Sequence, residues 1–129
     1  MPPMDEAMHA FLQRYGRALS AGDLAGVVAC WNLPALVVSD EGVQPVSAAA
    51  EVEAFFGGAI AWYRSQGMAA TRPEDVRIVP LGRRVAAVDV TWSAQNAAGE
   101  TVSTERSHYI VRLGEDGAPR VCVAVGVQE

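Results

Sequence analysis

The sequence predicts an α+β chain in which three N-terminal helices pack on a curved antiparallel sheet and enclose a pocket. Apolar residues recur at spacings of three and four in two early stretches, 4–19 and 52–63, as they do on helices with one buried face. Beyond Gly67 the pattern changes to the two-residue alternation of strands, interrupted by turn residues. A Gly22-Asp23 turn divides the first helix from a second, short one, so the order is helix, helix, hairpin, long helix and then only strands.

In the first helix Met4, Met8, Phe11, Leu12, Tyr15 and Leu19 form one apolar stripe that includes Tyr15. Gly22 suits a left-handed helix end, and Asp23 can cap the next helix, Leu24 to Trp31, by accepting from its free amides. Leu33 precedes a proline and is biased away from helical geometry. Ala35 to Val38 then reads as a strand, Asp40-Glu41-Gly42 as a hairpin turn, and Val43 to Val46 as a return strand whose Pro45 suggests a sheet edge. Ser47 is a cap for the third helix, whose stripe is Val52, Phe55, Phe56, Ala59, Ile60 and Tyr63; this helix is expected to cover the sheet. Strands follow at Val76 to Leu81, Val85 to Gln95, Thr101 to Leu113 and Val121 to Val127, expected to form an antiparallel meander.

Composition narrows the function. The chain has 129 residues, half of them hydrophobic, which suits one compact domain over residues 1–129. A formal charge of -5 with ten scattered basic residues, all arginine, argues against a nucleic-acid partner. Acids at Asp5 and Glu6 stand where a signal peptide needs a basic start, and the apolar run from Leu24 to Val38 is broken by Asn32 and Pro34. A cytoplasmic location without membrane insertion is therefore the expectation, and Cys30 and Cys122 are expected as free thiols. With only His9 and His108, a zinc site has no support, nor does a phosphate loop, a Ser-His-Asp triad or a paired CxxC. No cofactor is implied.

Alternation assigns strand faces. Ala86, Val88, Val90 and Trp92 share one apolar face, which puts Trp92 toward the core. Ser103, Glu105, Ser107, Tyr109, Val111 and Leu113 form the inner face of their strand, with Arg106, His108 and Arg112 outside. Val121, Val123, Val125 and Val127 make one continuous apolar row opposite Arg120, Cys122 and Ala124. If these faces converge with Tyr15 and Phe56, they enclose an apolar chamber holding a few polar groups.

Gln13-Arg14-Tyr15, Ala18-Leu19-Ser20-Ala21-Gly22-Asp23 and Ser107-His108-Tyr109, together with the order of elements, resemble the nuclear transport factor 2-like superfamily, and locally its ketosteroid isomerases. That resemblance, to a superfamily that also includes SnoaL-type cyclases and dehydratases, implies a cone-shaped, cystatin-like fold, a homodimer with outer sheet faces in contact, and an apolar ligand pocket. In the isomerases a tyrosine and a protonated aspartic acid donate to a dienolate oxygen while a second aspartate moves the proton. Here Tyr15 matches the tyrosine, Ser107 replaces the acid donor, and the base position falls on Ser39, or on Asp40 if the hairpin shifts by one residue.

Each candidate has a plainer reading beside it. Tyr15 is an oxyanion donor or a core tyrosine whose hydroxyl finds a nearby acceptor. Asp40 is a general base or one residue of a turn. Glu105, if inward, must be paired, protonated or near water; one residue of slip makes it a surface acid. Trp31, Phe56, Trp92, Ser107 and Tyr109 either line a ligand chamber or fill it. The sequence thus supports a small-molecule-binding protein acting by proton transfer as isomerase, cyclase or dehydratase, with a non-catalytic binding or dimerisation module as the alternative.

Overall fold

The computed structural model describes residues 4–127. Its elements are α1 (Met4–Ala21), α2 (Leu24–Val28), β1 (Trp31–Ser39), β2 (Gly42–Val46), α3 (Ala49–Ser65), β3 (Ala70–Pro80), β4 (Val85–Gln95), β5 (Thr101–Leu113) and β6 (Pro119–Val127). Six strands form one curved sheet in the order β2-β1-β6-β5-β4-β3, with the helices on its inner side.

The stripe of α1 is buried from Met8 through Phe11 and Leu12 to Tyr15, and packs with Ala86, Val88, Val90, Val111 and Val121 from the strands. Each of the buried Met, Phe, Leu and Val side chains contributes about 1.5–3 kcal/mol of hydrophobic stabilisation. The helix comes close to β3 because Gly16 carries no side chain there: a Cβ would lie 3.2 Å from Trp92 and 3.3 Å from the Thr71 carbonyl. At its end Gly22 takes φ +68°, and Asp23 caps α2 by accepting from the Gly26 amide at 3.0 Å.

Helix α2 is shorter than the sequence predicts. It ends at Val28, and Trp31 opens β1 instead of closing the helix. The cause is tertiary: β1 runs parallel to β6, Trp31 pairs with Val121, and the Val121 amide donates to the Cys30 carbonyl at 2.8 Å. The sheet is therefore mixed, antiparallel except at this pair. The two edges are β2 with Pro45 and β3 with Pro73, and an edge is where a missing amide is tolerated. Strand β3 starts six residues earlier than the apolar pattern shows, since Arg72, Glu74 and Asp75 conceal it and a bulge lies between Glu74 and Arg77.

Two further expectations are corrected. The α3 N-cap is Ala48, with no side-chain bond, and Glu51 instead accepts from the Ser47 amide at 3.3 Å. The valine row of β6 is split by a bulge opposite Ile110 and Val111, so that Val121 pairs with Val111 on the inner face whereas Val123 and Val125 pair with Ile110 and His108 on the outer one. Ala124, beside Tyr109, takes the inner position.

Candidate functional site

Helix α3 does not lie flat on the sheet. Within it only Val52 is buried, while Phe55 is 66% exposed. Its inner face, with Phe56, Ala59, Ile60 and Tyr63, borders an open cavity of about 600 Å³ whose other walls come from α1 and from all six strands. The lining is mainly aliphatic and aromatic, the surface that takes up an apolar small molecule.

The structure brings most of the candidate residues to this cavity. Tyr15 from α1, Trp31 from β1, Phe56 from α3 and Trp92 from β4 line it, together with Glu105, Ser107 and Tyr109 from β5. The odd face of β5 is thus the inner one, as alternation predicts. Asp40 is the exception: it sits exposed in the β1–β2 hairpin, outside the cavity wall. Ser39, the other candidate for the base position, uses its hydroxyl to accept from the Glu41 amide at 3.2 Å, an arrangement that closes the turn. Neither residue supplies the cavity with a base.

Tyr15 is the hub of an aromatic floor. Its ring meets Phe11 at 5.9 Å, Trp92 at 5.7 Å, Tyr109 at 6.2 Å and Phe56 at 6.3 Å between centroids. Its hydroxyl oxygen accepts from Trp31 Nε1 at 3.2 Å. Tyr109 accepts from Trp92 Nε1 at 2.9 Å. Burial raises both phenols above their ordinary value of 10.0, the Tyr15 phenol well above it, against the smaller opposing effect of their hydrogen-bond partners. Both remain neutral donors at physiological pH.

Glu105 answers the requirement that an acid on an inner face be partnered: Tyr63 donates to its Oε1 at 2.6 Å, joining α3 to β5. Burial and this carboxylate together push the Tyr63 phenol up. Tyr63 is part of the α3 stripe, yet spacing alone gives no sign of a partner 42 residues away. Ser20 is also in the lining, but its hydroxyl is engaged by the Gly16 and Thr71 carbonyls and the Thr71 amide. His108 lies on the outer face, where its Nδ1 pairs with Asp89 across the β4–β5 ladder. Among the described residues no cluster of three or more His, Cys, Asp or Glu could hold a metal ion, and no helix is long and apolar enough to cross a membrane.

A cone of three helices and a curved sheet around a pocket defines the nuclear transport factor 2-like class. The family described as NTF2-like protein (DUF6841) matches residues 5–129, and the chain belongs to it. Among solved structures, a Nostoc punctiforme protein of unknown function with a cystatin-like fold superposes with a TM-score of 0.74 at 11% identity, over 95% of this chain and 88% of that one. A candidate ketosteroid isomerase from Shewanella frigidimarina gives 0.72 at 15% identity, over 95% and 96% of the two chains. An NTF2-like superfamily protein from Salmonella enterica gives 0.66 at 13% identity, over 96% and 91%. At such identities the likeness is one of fold. No curated protein is significantly similar to the chain in sequence.

Proposed function

We propose that the chain binds a small, mainly apolar organic molecule in the cavity between α3 and the sheet and acts on it by proton transfer. The observation that carries this reading is an apolar cavity of about 600 Å³ that holds two neutral buried phenols, Tyr15 and Tyr109, with the Glu105 carboxylate in the same wall. A neutral phenol donates to an oxygen on which negative charge develops, and a carboxylate in the same cavity exchanges a proton with an adjacent carbon. The fold shared with a candidate ketosteroid isomerase is consistent with this chemistry. Native mass spectrometry before and after denaturation is the test. The expected result is a small molecule released on unfolding; a bare protein that also fails to bind any of a panel of apolar ketones overturns the proposal.

A non-catalytic binding role is the second reading, favoured by the position of Asp40 outside the cavity and by the bond Glu105 already makes to Tyr63. Glu105→Gln separates the two, since it abolishes turnover under the first and leaves ligand affinity within about twofold under both. Self-association belongs to the same proposal. Leu36, 40% exposed, pairs with Val123 on the outer side of the sheet, an apolar pair that suits a homodimer. Light scattering that gives a monomer at micromolar concentration removes that part. The free thiols of Cys30 and Cys122 fit a reducing, cytoplasmic setting.

A further inference from the structure

The two phenols of the cavity have the same kind of neighbour. Trp31 donates its indole N–H to Tyr15 at 3.2 Å, and Trp92 donates to Tyr109 at 2.9 Å. The pairs come from different elements, α1 with β1 and β4 with β5, so no local chain geometry produces the repetition. They share one floor, because the Tyr15 ring meets those of Trp92 and Tyr109 at 5.7 and 6.2 Å. An indole N–H can only donate. A phenol oxygen has one good in-plane lone pair, the other being conjugated into the ring. When an indole holds that lone pair, the hydroxyl has only its hydrogen left to offer.

We infer that Trp31 and Trp92 are positioning residues that commit Tyr15 and Tyr109 to hydrogen-bond donation, so that the cavity selects ligands presenting an oxygen that accepts and does not donate, as in a ketone, lactone or ether. This rests on the ligand-binding reading of the cavity. An alcohol in the same place brings a hydrogen for which the phenol has no lone pair, and a buried donor without a partner is costly. Tyr15 is the stricter of the two, since the Ser107 hydroxyl adjoins Tyr109 and can turn either way. The indoles do not touch the ligand's reacting atoms. They act through the tyrosines, and the bond they make is strengthened when the phenol in turn donates.

Three probes with one bicyclic skeleton test this: tetralin, 1-tetralone and 1-tetralol, titrated calorimetrically. The expected result is that all three bind, with the ketone about tenfold tighter than the alcohol. In Trp31→Phe the phenol regains its lone pair, and the ketone-to-alcohol ratio falls toward one, whatever the loss of the indole from the wall does to all three affinities alike. If none of the three binds, the ligand pocket itself is overturned. If ketone and alcohol bind equally to the native protein, or if the ratio is unchanged in Trp31→Phe, the pocket stands and the inference is overturned. Should that variant not fold, nitrogen-15 NMR of the native protein decides, with the 57% exposed Trp62 as internal reference. Two indole protons are expected to exchange far more slowly than that of Trp62 and to shift on saturation with tetralone. Exchange as fast as that of Trp62, or no shift, overturns the inference.

Discussion

Tyr15 joins the packed part of the molecule to its cavity. Its ring is held edge-on by Phe11, Phe56 and Trp92, and its oxygen satisfies a buried indole. Removing that oxygen therefore does more than delete a ligand contact. Tyr15→Phe strands the Trp31 N–H, and the expected loss is about 1–3 kcal/mol of stability by urea denaturation; Glu105→Gln, an exposed partner of Tyr63, is expected to stay within about 0.5 kcal/mol. Equal effects for the two would show that the Tyr15–Trp31 bond contributes nothing net. Alternation and helical spacing were enough to turn Tyr15, Trp92, Glu105 and Tyr109 inward, because each of those signals is local. The Trp31–Tyr15 bond spans 16 residues and two elements, and no local pattern encodes it. Asp40 was ambiguous for the opposite reason: at a hairpin tip one residue of register decides between wall and solvent, and the turn leaves it in solvent.

At the scale of elements, α3 is the instructive case. Its apolar stripe shows correctly which face looks inward, but a stripe cannot tell whether that face meets protein or open space, and here it meets the cavity. Gly57 and Gly58 lie in the middle of this helix, and a Cβ at Gly58 would meet nothing within 4 Å. Glycine in a helix interior costs about 1 kcal/mol relative to alanine. Gly58→Ala is thus expected to raise the melting temperature by about 3–5 °C in a calorimetric scan; no rise would mean that helical entropy at this position is offset by strain elsewhere. The β6 bulge and the early start of β3 escaped the sequence because an inserted residue leaves the valine period intact on paper, and because charged residues on an edge strand read as loop.

For the molecule as a whole, alkaline pH is the revealing variable. The ten basic residues are all arginine, so no lysine titrates near pH 10 and the phenols dominate there. Tyr15 and Tyr109 are raised above 10.0 by burial. Below pH 10 both folded and unfolded chains keep these protons, and the two groups leave stability unchanged. Above it the unfolded chain releases them first, so stability falls as pH rises, by about 1.4 kcal/mol per pH unit for each phenol until the folded value is reached. Cys30 and Cys122, raised from 9.0, add a loss of the same sign that starts earlier. Urea midpoints that hold steady from pH 7 to 8.5 and drop between 10 and 11 are the expected outcome, and a flat profile to pH 11 would place both phenols in water.

The placement of the cavity has a consequence for how such a chain can vary over generations. Its close-packed residues, Met8, Phe11, Leu12, Val88, Val111 and Val121, belong to α1 and the strands beneath it, whereas Ala59, Ile60 and Ala94 border the cavity and lie outside that buried cluster. Substitutions in the second group reshape what can enter while the first group keeps the fold intact. Heritable change in ligand preference and heritable loss of the folded state are thereby assigned to different residues.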